Sequence, residues 1–386
     1  MSAEANPTDS NFKFSLGEVG LALADEYNDK KGNTMTLDEL RVQIDTIDDT
    51  LLELYNKRME YVHQVGELKN TTGAPIYRPE REQAILNRLK SKNNGKLTDG
   101  AIDALFLEMF AVARNLERPE AIAYLGPEAS FTHQAAEMKF GAMSAYLPIN
   151  SISGLFREVN RGTAKFGVIP IENSSNGIVS ETINCLKDYD LKIIAEVFVN
   201  VHHTLASTCN SVQEIKKIYS RDIAFSQCHN FLEDCGLDEV ELIPVDSTAK
   251  AAKLAMEEEG TAAICSDVAA KMYNLPSLFQ NIEDRDDNKT RFFIVSDFDN
   301  LSSGNDKTSM LVRLPNTPGS LVEFLNDFER CEINLTKIKS HIVEGESIFF
   351  IEFNGHKDDL HIMDIMKRHD KVIKILGSYV KENDDI

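Results

Sequence analysis

From Leu37 the apolar residues recur at Leu40, Ile44, Ile47, Leu51, Leu54, Met59, Val62 and Val65, a spacing of three and four held for about 30 residues. At 3.6 residues per turn this period returns each apolar side chain to one face, and it predicts one long amphipathic helix. A loop through Thr72-Gly73-Ala74-Pro75 follows, then a helix from about Pro79 to Lys90, a polar break at Asn93-Asn94-Gly95, and a third helix from about Thr98 to Glu117. Three helices without a strand make an all-α domain over residues 35–119. Residues 1–34, polar and interrupted by Gly17, Gly20 and Gly32, read as a flexible leader.

After Pro119 short β-rich runs alternate with helical stretches: Ala121–Leu125, Phe166–Ile171, Lys192–Val201, Ile215–Tyr219, Val240–Val245, Ala262–Cys265 and Phe292–Ser296. The alternation predicts an α/β domain over residues 120–300. A polar linker, Ser302-Ser303-Gly304-Asn305-Asp306, precedes a segment over residues 301–386 whose pattern is strand, helix, strand, strand, helix, strand, the ferredoxin-like α+β order. A chain of 386 residues exceeds one ordinary core, and the expected fold class is multidomain.

The net charge of −21 repels a phosphate backbone, so no nucleic-acid partner is expected. No run of about 18 apolar residues offers a membrane span. Six scattered cysteines without a C-x-x-C pair, behind an N-terminus lacking the order of a secretory signal, fit a reducing cytoplasm.

Within this acidic chain residues 36–119 are nearly balanced, with 12 Lys and Arg against 14 Asp and Glu. On one helix Arg58 and Lys69, 11 residues apart, point within about 20° of each other and stand roughly 16 Å apart, a separation that brackets a small dianion. Arg41 lies 28 residues before Lys69, roughly 42 Å along a straight helix, and must serve a site on a second subunit if it binds the same ligand. Lys and Arg on long helices are more often solvated charges than ligands.

The runs Leu37-Asp38-Glu39-Leu40-Arg41, Lys57-Arg58, Val65-Gly66-Glu67-Leu68-Lys69 and Tyr77-Arg78-Pro79-Glu80-Arg81-Glu82 together resemble the all-helical chorismate mutases over about 85 residues. The resemblance implies an intertwined homodimer in which Arg41 of one subunit completes a pocket of Arg58, Lys69, Arg81, Glu82 and Glu117 of the other. A Claisen rearrangement asks only that chorismate be held in a near-attack conformer, without nucleophile, metal or cofactor. Arg41 and Arg58 would fork the carboxylates, and Lys69 would stabilise charge on the ether oxygen in the transition state. Glu117 stands where many relatives carry Gln, and a carboxylate donates a hydrogen bond only when protonated, so mutase activity is expected to rise toward mildly acid pH. Arg78 stands where Asp is common and Ala113 where Ser is, which puts their substrate contacts in doubt.

Gly126-Pro127-Glu128-Ala129-Ser130-Phe131-Thr132 reads as a tight turn into a helix capped by Ser or Thr, whose free N–H groups bind anions. The same logic recurs at Pro170-Ile171-Glu172-Asn173-Ser174-Ser175 and Asp246-Ser247-Thr248-Ala249, so three helix mouths are expected around one cleft. With Asn288-Lys289-Thr290-Arg291-Phe292, these ordered motifs resemble prephenate dehydratase over roughly residues 121–298. The resemblance implies two α/β subdomains, like a periplasmic binding protein, closing on prephenate. Thr290 would protonate the departing hydroxyl as CO₂ leaves and Arg291 would neutralise a carboxylate. Ser130, Thr132, Asn173, Ser174, Ser247, Thr248 and Phe292 would bind substrate, with Glu172 and Gln227 behind them. His202-His203 do not make a metal pair, because neighbours on a strand face opposite ways and no Cys or carboxylate completes a ligand spacing. His203 is expected at a hinge between subdomains.

Residues 308–386 resemble the ACT regulatory module, with Asn316-Thr317-Pro318-Gly319-Ser320-Leu321-Val322 at its first strand-to-helix turn. The resemblance implies pairwise association and phenylalanine as effector at Asn316, Gly319, Ser320, Leu321, Val322 and Ser340. The second effector motif, usually Glu-Ser-Arg-Pro, is here Lys339-Ser340-His341-Ile342. The whole chain thus resembles the bifunctional chorismate mutase/prephenate dehydratases with a C-terminal ACT module, as a homodimer or a tetramer of two dimers. A metabolite sensor without catalysis and an arogenate-using dehydratase are the competing readings. A prephenate dehydrogenase would need a G-x-G-x-x-G turn, which the chain lacks.

Overall fold

The computed structural model describes residues 35–343 and 346–382, so the expected leader lies outside the described residues. Among the described residues, those up to Tyr61 and those from Val62 on form separate compact units. Helix α1 runs Leu37–Thr72, α2 Pro79–Lys92 with Pro79 in its first turn, and α3 Asp99–Glu117. Thr98 caps α3 by accepting the Ala101 N–H, satisfying one of the helix's free donors. In the first unit the apolar stripe of α1 faces outward, with Leu40, Ile44, Ile47, Leu51 and Leu54 all exposed.

The α/β body holds two sheets. The first contains β1 (Ala121–Leu125), β2 (Ala145–Ile149), β3 (Phe166–Asn173), β4 (Gly177–Ile178), β5 (Lys192–Asn200) and β11 (Lys289–Ser296), ordered β2-β1-β3-β11-β5 with β4 paired to β3. The second contains β6 (Thr204–Ser207), β7 (Lys217–Ser220), β8 (Glu241–Pro244), β9 (Thr261–Cys265) and β10 (Ser277–Gln280), ordered β10-β6-β9-β7-β8. Helices α4 (Phe131–Phe140), α5 (Ile152–Asn160) and α6 (Ser180–Asp188) cover the first sheet, and α7 (Asp222–Gln227), α8 (His229–Asp234), α9 (Thr248–Glu257) and α10 (Asp267–Met272) pack on the second. The chain crosses between the sheets twice, once through residues 201–203 and back through 281–288. The crossings are joined by Val201 N–H to Asn288 O (2.7 Å) and Ile282 N–H to His203 O (3.1 Å).

A four-stranded antiparallel sheet follows, ordered β13-β14-β12-β15, from β12 (Asp306–Arg313), β13 (Leu335–Val343), β14 (Glu346–Asn354) and β15 (Ile373–Val380). Its helices are α11 (Ser320–Arg330) and α12 (Leu360–Arg368), giving the βαββαβ order. Phe350, Leu376 and Tyr379 of this sheet share one core with Ile193 and Phe293 of the body. A Cβ on Gly377 would meet Ile193 O at 2.1 Å, so only glycine lets β15 approach β5 this closely.

Several boundaries differ from the sequence reading. Strands β2, β6 and β10 were not expected; they are short, and β2 carries Pro148 at the sheet edge. Asp306, assigned to the linker, opens β12 and accepts hydrogen bonds from Ser302, Ser303 and Gly304. Strand β11 begins at Lys289 rather than Phe292, which places Thr290-Arg291-Phe292 within a strand. The helix mouth expected at Pro170–Ser175 is a β3–β4 hairpin in which Asn173 Oδ1 accepts the Ser175 and Asn176 N–H groups.

Candidate functional sites

The end of α1 from Val62 on packs against α3 through Gly66, where a Cβ would stand 3.0 Å from the Glu117 Cα. This close approach lets the Lys69 ammonium reach Glu117 Oε2 (2.7 Å) and the Ile76 carbonyl (3.2 Å). Glu82 on α2 is ion-paired to Arg114 of α3, whose guanidinium also donates to Phe140 O (2.9 Å) and lies 5.3 Å from the Tyr77 ring centroid. Burial raises the Glu82 carboxyl above the ordinary range, opposed by Arg114 and more weakly by Lys139 and Lys69. A cavity of about 420 Å³ lies beside it, lined by Tyr77, Glu82, Leu86, Phe110, Lys139 and Glu382 among others. Lys139 donates to Glu382 (2.6 Å).

Lys69, Glu82 and Glu117 are thus brought together, while Arg81 is exposed on α2 and Arg78 pairs with Glu80 at 3.5 Å. Ala113 is buried. In the first unit Arg41 is exposed and bonded to Asp38 (3.2 Å), and Arg58 is half-buried. Gly66 and Arg114 were missed; a small residue one turn before Lys69 was the available signal for the first.

In the body, Thr290 on β11 stands opposite Asn173 on β3. Asn173 Nδ2 donates to Thr290 Oγ1 (2.9 Å) and to the carbonyl oxygen of the buried Asn288 side chain (2.8 Å). Ser174 Oγ accepts the Lys289 N–H (3.0 Å) at the start of β11. Ser130 and Ser247 serve as N-caps of α4 and α9, accepting the His133 and Lys250 N–H groups, and Thr132 and Thr248 are buried in those first turns. At the other crossing the His203 ring bonds Gln227 Oε1 (2.9 Å), and burial lowers its pKa. Glu283 accepts the His203 N–H (2.8 Å) and bonds the His202 ring (2.6 Å). Among the described residues no group of three His, Cys, Asp or Glu side chains is set to hold a metal ion.

Two expectations are corrected. Arg291 faces the C-terminal sheet, and Thr290, beside Asn173, takes the opposite face of β11, because successive residues of a strand alternate faces. Its guanidinium, 1% exposed, donates to both Glu352 carboxylate oxygens (2.8 and 2.7 Å) and to Glu196 (2.8 Å), and a substrate carboxylate has no access to it. Burial works against its charge, yet Tyr379, Glu352 and Glu196 outweigh that and hold its pKa well above the ordinary value. Phe292 likewise packs in the core with Tyr124, Phe166 and Val197 instead of lining the cleft.

The Asn316–Ser320 turn is exposed or half-buried; Gly319 adopts φ +90°, and Ser320 Oγ donates to Pro315 O (2.8 Å). Leu321 is half-buried, and Val322 and Ser340 are exposed.

Two family models match: chorismate mutase type II over residues 40–118 and prephenate dehydratase over residues 122–300. The bifunctional chorismate mutase/prephenate dehydratase of Aquifex aeolicus is 37% identical over 355 residues, covering 89% of this chain and 98% of that one. The chain belongs to the family of bifunctional chorismate mutase/prephenate dehydratases. It is an isomerase joined to a lyase. The counterpart from Pseudomonas aeruginosa is 38% identical over 357 residues, covering 89% of this chain and 98% of its own. Among solved structures, a prephenate dehydratase of Arthrobacter aurescens in complex with L-Phe superposes with a TM-score of 0.63 at 30% identity, covering 68% of this chain and 90% of that one. No described helix is long and apolar enough to cross a membrane.

Proposed function

We propose that residues 35–119 carry the mutase, 120–300 the dehydratase, and 301–386 a linker and ACT module; the family-model ranges support the first two. In the mutase, Lys69 and Glu117 act at the ether oxygen, Arg58 and Arg81 with Arg41 of a second subunit hold the carboxylates, and Glu82 lies alongside. The 2.7 Å Lys69–Glu117 bond supports placing those two groups in one site. The exposed stripe of α1 supports a homodimer, since apolar patches of that extent are normally covered.

In the dehydratase, Asn173 donates to Thr290 Oγ1, which leaves the Thr290 hydroxyl proton free to point at the departing hydroxyl. This bond is the observation that carries the assignment. Protonation of the leaving group and loss of CO₂ then proceed together, driven by aromatisation. Free N–H groups at the mouths of α4 and α9, capped by Ser130 and Ser247, take the substrate carboxylates in place of Arg291. The L-Phe complex of the Arthrobacter relative supports phenylalanine as effector. In this reading Asn316, Gly319, Ser320, Leu321, Val322 and Ser340 are its contacts, and the modules pair toward a dimer or tetramer. The enzyme works in the cytoplasm without cofactor.

With chorismate as substrate, Arg58→Ala is expected to lose prephenate formation yet still convert added prephenate. Thr290→Ala is expected to accumulate prephenate, its dehydratase rate falling roughly 10²- to 10⁴-fold. A Thr290→Ala enzyme that still makes phenylpyruvate at the parent rate overturns the assignment.

A further inference from the structure

The strands that carry Asn173 and Thr290 are gripped from behind by the C-terminal sheet. One residue along from that cleft-side pair, Glu172 and Arg291 stand opposite each other across β3 and β11, on the other face. The C-terminal sheet presents its own cross-strand pair, Lys337 on β13 opposite Glu352 on β14. The two pairs meet with complementary charge: Lys337 is ion-paired to Glu172, and Arg291 forks both oxygens of Glu352. Around them Glu196 accepts from Arg291 and from the buried Lys307 ammonium (2.9 Å), while Tyr379 and Ser309 bond each other (2.6 Å) and Glu352.

An ordinary docking interface tolerates small slides, but this one does not. Each strand pair holds one cation and one anion, so a relative shift of the sheets separates both ion pairs at once, and a buried charge stripped of its partner is costly. The sheets therefore move as one body or part altogether. Because Glu172 and Asn173 are adjacent, as are Arg291 and Thr290, a displacement of the rear pair must displace the 2.9 Å contact between Asn173 and Thr290. Lys337 lies two residues from Lys339-Ser340-His341-Ile342, on the edge strand of the sheet.

We propose that Glu172 and Arg291 are positioning residues for the dehydratase step, and that the C-terminal sheet sets the Asn173–Thr290 geometry through Lys337 and Glu352. The proposal rests on the reading that Asn173 and Thr290 perform the chemistry. It gives Glu172 a role that the motif Pro170-Ile171-Glu172-Asn173-Ser174 does not disclose, and it makes the module a mechanical part of the site whatever ligand the module takes.

The test uses the Glu172–Lys337 arm, which is half-buried and safer to alter than Arg291. Full-length Glu172→Gln, Lys337→Met and the double variant are assayed with prephenate for dehydratase and with chorismate for mutase, alongside Thr290→Ala. Each single variant is expected to lower dehydratase kcat roughly three- to tenfold with KM for prephenate nearly unchanged, and the double variant to be no slower than the worse single one. Mutase rates equal to the parent's show that the chain is folded. Losses that multiply in the double variant, a Glu172→Gln effect confined to KM, or a Lys337→Met enzyme with parental kcat each overturn the linkage. Unchanged dehydratase in Thr290→Ala, with the 172–337 coupling intact, overturns the Thr290 assignment and leaves the linkage standing.

Discussion

Arg41 and Arg291 were both expected to hold substrate, and the chain treats them in opposite ways. Arg41 sits on a helix whose apolar stripe faces outward, and its partner is Asp38 three residues away, both largely exposed. A pair of that kind contributes little and is easily exchanged for a ligand. Arg291 lies between two sheets, forked to Glu352 and bonded to Glu196 in a setting that excludes water. An arginine buried with its counter-charges is committed to structure, and one whose counter-charge is a solvent-exposed neighbour is available for binding. The same contrast holds for the apolar residues: Phe293, Phe350 and Tyr379 find cover inside the body, whereas Leu40, Ile47 and Leu51 do not find it on α1.

The largest effect is expected from breaking the satisfied side of this comparison. Arg291→Met takes the guanidinium from Glu352, which keeps the Ser309 and Tyr379 hydroxyls, and leaves Glu196 with the Lys307 ammonium and the Glu382 N–H, at a cost of about 3–5 kcal/mol. Urea unfolding followed at the body should show it, and unchanged stability with a sharply raised KM for prephenate would return Arg291 to the substrate. The unsatisfied side is tested by Leu51→Lys, which charges the stripe without touching the dehydratase. Sedimentation is expected to show dissociation, and mutase activity to fall about 10²-fold as Arg41 loses its place, with dehydratase nearly untouched. A dimeric Leu51→Lys enzyme with parental mutase activity would mean that the stripe is not the interface.

The smallest effect is on pH. Burial works to raise the Glu352 carboxyl, and Arg291 outweighs it, so the folded value lies below the unfolded one. Its stabilising contribution is therefore complete above the ordinary carboxylate range, near ~4.3, and lost as pH falls through the depressed value. Glu82 has the opposite sign: burial raises it, so its ionised form costs stability at neutral pH and protonation relieves that cost. Melting temperatures between pH 7 and 3.5 should fall less steeply in Glu352→Gln than in the parent and more steeply in Glu82→Gln; parallel curves would show that neither carboxyl governs the acid limb.

The three helices were legible because a spacing of three and four is a local property, and the caps Thr98, Ser130 and Ser247 stand where short hydroxyl side chains serve free N–H groups. The hairpin after β3 was not, because Asn173 followed by two serines satisfies a turn with the same local chemistry that caps a helix. Strand β11 was read three residues short because Lys289, Thr290 and Arg291 are polar, and a polar run earns a strand assignment only from its neighbours. The partners of Arg291 lie 95 and 61 residues away, Glu196 and Glu352, beyond any local pattern. Family resemblance marked Thr290 and Arg291 as one motif; alternation along the strand divides them between two faces, one beside Asn173 and one against Glu352.

The spacing of those partners also bears on the order of assembly during synthesis. When β11 leaves the ribosome, Arg291 has Glu196 to pair with, but Glu352 and Tyr379 are translated 61 and 88 residues later. Until they arrive, β11 holds a cation with half its counter-charge, and Ile193 and Phe293 lack the cover of Phe350 and Tyr379. A chain broken off before residue 350 therefore leaves Arg291 without Glu352 and Tyr379, and leaves Ile193 and Phe293 without the side chains that complete their core.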